Sequence, residues 1–171
     1  MTDYAERAGM NSRVEPPRPG HDQIGHLPTI QGLWSALFAA DRIDEGAEPA
    51  SEIHRCVKEM VAAHRRWATI GSPAPGDWVG AEAEISRLKE SLDSTITTML
   101  GPPTAGAHEH HESYASMMDR IAALYASAWP ASGQWGPAQS RTLLGHEFTN
   151  YDKVIRRLAA GTLRLPVTAT T

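Results

Sequence analysis

The chain has a single cysteine, Cys56, among 171 residues. An intramolecular disulfide is therefore excluded, and so is a zinc site built on several cysteines. Basic residues are not in excess: 16 Lys and Arg stand against 20 Asp and Glu, a net charge of −4. That balance argues against a general nucleic-acid surface, which needs a basic patch. No stretch approaches roughly 18 consecutive apolar residues, so no membrane span is expected. The opening MTDYAERAGMNSRVEPPRPG has no apolar run of the kind a secretory signal carries. Strand-type alternation and internal repeats are missing. So are a glycine-rich phosphate loop and a G-x-S-x-G elbow, and Cys56 lies in no nucleophile signature. These absences fit a cytoplasmic protein and lean away from an enzyme.

What is present is a globular composition, 41% apolar, in a length that suits one domain. Residues 1–26 are polar, with Pro16, Pro17, Pro19 and Gly20, and read as a flexible arm. From Leu27 the apolar residues Ile30, Leu33, Trp34, Leu37 and Phe38 recur at helical spacing, with Pro28 in the first turn. Gly46 and Pro49 break the chain. A second helix over 51–70, capped by Ser51, aligns Ile53, Val57, Met60, His64 and Trp67. A third starts near Asp77 and runs through Ile85, Leu88, Leu92, Ile96 and Met99 to the GPP at 101–103. A fourth is expected over about 110–129, with Tyr114, Met117, Met118, Ile121 and Tyr125 on one side. Pro137 opens a fifth, which carries Leu144, Phe148, Tyr151, Ile155 and Leu158 and ends with Gly161 as the C′ residue. The fold class is thus all-α: an antiparallel bundle of four to five helices over 27–166, with a flexible tail at 167–171.

The densest polar stretch is HEHHESYASMMDR, residues 108–120. On a helix advancing about 100° per residue, His110 joins the Tyr114 face, while His108, Glu112 and Asp119 fall together on the opposite side. His111 lies between. On this wheel His108 and Glu112, at i, i+4, are the pair that could share a divalent metal. Asp119 is about 10 Å further along the axis and too far to join them. The Glu-x-x-His order of helical di-metal proteins is absent. A solvated first turn, whose acids suit the helix dipole, explains the same residues without an ion. His64, on the apolar stripe of the second helix, reads as a satisfied core or boundary histidine. His146 and Glu147 read as boundary positions too, with a partner facing Glu112 as the sharper alternative.

The same stretch resembles a bacterial family, the domain of unknown function 4254, whose helix pattern is close to E-T-P-G-x-x-x-D-R-L. Glu112, Ser113, Ser116, Asp119, Arg120 and Ile121 stand at matching or similar positions, whereas Tyr114 and Ala115 replace the usual Pro and Gly. Upstream, Lys89, Leu92 and Asp93 fit the family's K-x-x-I-D spacing. The link GPPTAGAHEHHES and the closing YDKVIRRLAAGTLRLP resemble those of actinobacterial members, so the likeness spans about residues 80–166. The usual Asn- and acid-rich segment of the second helix is replaced by AAHRRWATIG. The resemblance implies an all-helical fold and no particular reaction. It draws attention to Lys89, Asp93, Glu112, Asp119 and Arg120 as one polar network between two helices, either a brace or the lining of a pocket.

Two functions follow as expectations. The first is a small interaction or accessory protein, of host or phage origin, acting through self-association or a protein partner and needing no cofactor. The second is an enzyme or small-ligand binder that uses a Glu112/Asp119 face, with or without a divalent metal.

Overall fold

A computed structural model describes residues 27–38, 49–69, 75–130 and 136–166. The expected arm at 1–26 and tail at 167–171 lie outside the described residues. Five helices account for most of the rest: α1 (Ile30–Phe38), α2 (Pro49–Thr69), α3 (Pro75–Leu100), α4 (Tyr114–Ala128) and α5 (Ala138–Ala159). Two short strands, β1 (His108–Glu109) and β2 (Leu163–Arg164), pair in parallel. Among the described residues no helix is long and apolar enough to cross a membrane.

Helix starts depart from the sequence reading in an informative way. Pro49, expected to break the chain, is the first residue of α2, and Pro75, ahead of the start expected near Asp77, is the first of α3. Proline suits that position, because its missing N–H would have no partner there and its φ is already helical. Pro28 instead precedes Thr29, whose Oγ1 accepts from the Gly32 N–H at 3.1 Å and opens α1. The fourth helix begins at Tyr114, four residues later than expected. Ser113 caps it, accepting from the Ser116 N–H at 3.2 Å. Two residues of backbone pairing at His108–Glu109 hold the preceding segment extended, so it cannot join the helix.

The core follows the apolar stripes. Ile53, Val57 and Met60 of α2, Ile85, Leu88, Leu92, Ile96 and Met99 of α3, and Leu144, Phe148, Tyr151 and Leu158 of α5 are all buried. Helix α4 packs against α2, α3 and α5. Its buried residues include four alanines, Ala115, Ala122, Ala126 and Ala128, so neighbouring backbones can come close. Cys56 is buried, and desolvation pushes its thiol up to about 11, which leaves it unreactive. The hydroxyls of Tyr114 and Tyr151 meet at 2.9 Å inside the core, and Tyr151 also donates to the Pro28 carbonyl at 2.7 Å. That bond ties the start of α1 to α5.

Candidate ligand-binding cleft

The segment between α3 and α4 builds the site. Gly101, at φ 63°, ends α3, and Gly106, at φ 80°, turns the chain toward β1. On the other side, α5 ends in a Schellman motif. The Gly161 N–H donates to the Leu158 carbonyl at 2.9 Å, and the Thr162 N–H to the Arg157 carbonyl at 3.0 Å. Gly161 has φ 66°, as its expected C′ role requires. The chain then turns back as β2 and pairs with β1. The His110 N–H donates to the Arg164 carbonyl at 2.8 Å, so the backbone of His110 is pinned from the far end of the domain.

Beyond this pin, His110, His111 and Glu112 form a turn beside α4 and α5. A cleft of about 320 Å³ opens there, lined by that turn, by Arg120 and Ile121 of α4 and by Glu147, Asn150, Tyr151 and Lys153 of α5, among others. Arg120 is its keystone. Its guanidinium donates to both oxygens of Glu112, each at 2.7 Å, and pairs with Glu147 at 2.9 Å. The fork geometry of arginine matches a carboxylate in this bidentate way. The hydrogen bonds from Arg120 hold the Glu112 carboxyl below the usual glutamate range. The two carboxylates in turn raise Arg120 further above its already high value.

The five residues expected to form one network divide into three arrangements. Glu112 and Arg120 join Glu147 at the cleft. Asp119 turns toward α2 and α3: it meets His64 Nε2 at 2.8 Å and Lys89 Nζ at 3.8 Å. Asp93 accepts from the Ala115 N–H at 2.9 Å, so it caps α4 from the neighbouring helix. Asp119 and Glu112 therefore do not share a face. The wheel that placed them together assumed helix at Glu112, and that residue precedes the helix. For the same reason the His108–Glu112 pair does not arise. His108 belongs to β1 and is exposed. Instead, the side chains of His110, His111 and Glu112 bring ligating atoms within 4.8 Å of one another.

Glu147 was within reach of sequence reasoning as the residue facing Glu112, and His64 as a boundary histidine. Asn150 and Lys153 were missed. The signal for Asn150 was the stripe Glu147, Asn150, Tyr151 and Val154, at i, i+3, i+4 and i+7 along α5; Lys153 lies off that stripe and had none.

No family model, curated protein or solved structure matches this chain.

Proposed function

We propose that this chain is a small-ligand-binding protein whose cleft takes a small acidic molecule, a carboxylate or a phosphate ester. The observation that carries the reading is the cleft itself. Its volume of about 320 Å³ lies within the range of small-molecule sites, and charged groups from three segments converge on it. Both oxygens of Glu112 are taken by Arg120. The walls still offer two donors that suit such a ligand: the Lys153 ammonium, which makes no ion pair among the described residues, and the Asn150 amide. An occupant with acceptor oxygens suits such a lining.

Membership of the domain of unknown function 4254 family belongs to the same proposal and rests on Glu112, Asp119 and Arg120. The packing of each helix against its successor in the chain supports the antiparallel arrangement of the bundle. A lone, buried Cys56 fits the reducing cytoplasm. Self-association or a protein partner has less to stand on. Among the described residues the exposed large apolar side chains are Val79 and Leu143, and a docking patch needs more.

The test is calorimetric titration of untagged protein, freed of metal on a chelating resin, with glutamate, malonate, inorganic phosphate and glucose 6-phosphate. At least one should bind saturably, and Lys153→Met should weaken it about tenfold, the effect of one charge-assisted hydrogen bond. Saturable binding by none of the four, or binding indifferent to Lys153→Met and Asn150→Ala, would overturn the reading.

A further inference from the structure

We infer that the same cleft holds one divalent transition-metal ion, ligated by His110, His111 and Glu112. The inference rests on the reading of the cleft as the ligand site, and it names a partner for that ligand.

Three observations carry it. The ligating atoms of the three side chains already lie within 4.8 Å of one another, so small rotamer changes bring them to one ion. The two imidazole rings are close, with centroids 4.4 Å apart. The third observation concerns the imidazole of His110. Its Nδ1 lies 2.9 Å from the Glu112 carbonyl and 3.4 Å from the Glu112 N–H; in the tautomer with its proton on Nδ1 it donates to the carbonyl, and Nε2 keeps a free lone pair. A backbone carbonyl on the second ring nitrogen is the usual support of a metal-ligating histidine. The backbone is fixed on both sides as well: by the His110–Arg164 bond before the turn and by the Ser113 cap after it.

Two imidazoles and one carboxylate suit zinc, nickel or cobalt(II) better than magnesium or calcium, which prefer all-oxygen shells. Three protein ligands leave a fourth position open toward the cleft, where an acidic ligand would complete the shell. Arg120 competes for Glu112. An arriving ion displaces it, and Glu147, already 2.9 Å from the guanidinium, keeps it paired. Arg120 thus weakens the site while remaining neutralised after the exchange.

The deciding experiment is calorimetric titration of untagged protein with zinc sulfate at neutral pH, without any acidic ligand. One ion per chain is expected. His110→Ala, His111→Ala and Glu112→Gln should each lose at least the tenfold that removal of an outer-shell partner costs. Arg120→Met should bind several-fold tighter, and His108→Ala should bind as the parent does. His111 is exposed, so its variant tests the site even if Glu112→Gln disturbs the fold. Absence of zinc binding overturns the inference. So does His108→Ala costing as much as His110→Ala, which is how a loose histidine-rich tract captures ions. Failure here with glutamate or phosphate still bound leaves the cleft reading standing; failure of both titrations removes both.

Discussion

Single side chains in this protein hold positions that simple substitutions can weigh. Glu112 is the clearest pH reporter. Arg120 holds its carboxyl below the ordinary glutamate value of 4.5, so its contribution to stability is complete above that value. It is lost as pH falls through the lower value of the folded state. Glu112→Gln should therefore flatten the acid limb of the stability–pH profile below about pH 4.5. At neutral pH the loss should stay within about 1 kcal/mol, since the Arg120 side chain is 41% exposed and solvent screens the pair. Urea unfolding across pH measures both. Asp93 stands on another footing. It satisfies an N–H at the start of α4 and places negative charge at the positive end of the helix dipole. Asp93→Ala should cost about 1–2 kcal/mol, and Asp93→Asn, which keeps the acceptor, less. The sequence marked Asp93 as polar and notable, but not as a cap, because its target lies 22 residues away in another helix.

Among elements, the legible part was the apolar periodicity. Every core residue expected on α3 and α4 is buried, because burial on one face is what forces the 3.6-residue spacing. Boundaries were harder. Pro49 and Pro75 carry the same letter as a helix breaker, and only their position relative to a cap separates the two roles. The start of α4 was misplaced for a different reason: a backbone pair with β2 competes for residues 108–109, and nothing local in HEHH announces it. The end of α5 was legible, since Gly161 is the one residue there suited to a positive φ. Gly161→Ala should destabilise by about 1–2 kcal/mol, the cost of a left-handed conformation with a Cβ. It also brings that Cβ to 3.4 Å from Thr104 Oγ1. A thermal melt beside the parent checks it.

Across the whole molecule, the cleft was legible in its chemistry and not in its geometry. Glu112 and Arg120 drew attention from the sequence, but the separation of Glu112 from Asp119 depends on where α4 begins. A chain ending at Thr162 tests the architecture. It loses Leu163, which is buried, together with the pairing of β2. Such a truncation should keep the helical circular dichroism, lose about 2–4 kcal/mol of stability, and speed amide exchange at His110, as hydrogen-exchange mass spectrometry would record.

The parallel pairing of β1 with β2 also sets an order of events during folding. His108 meets Leu163 only after α4 and α5 have been laid down between them. Closing so long a loop carries an entropic penalty that local helix formation does not. Refolding should therefore form helices first and dock residues 108–110 late. A probe at His110 would lag behind one on α3, and a nascent chain would have no finished cleft until Leu163 and Arg164 had emerged.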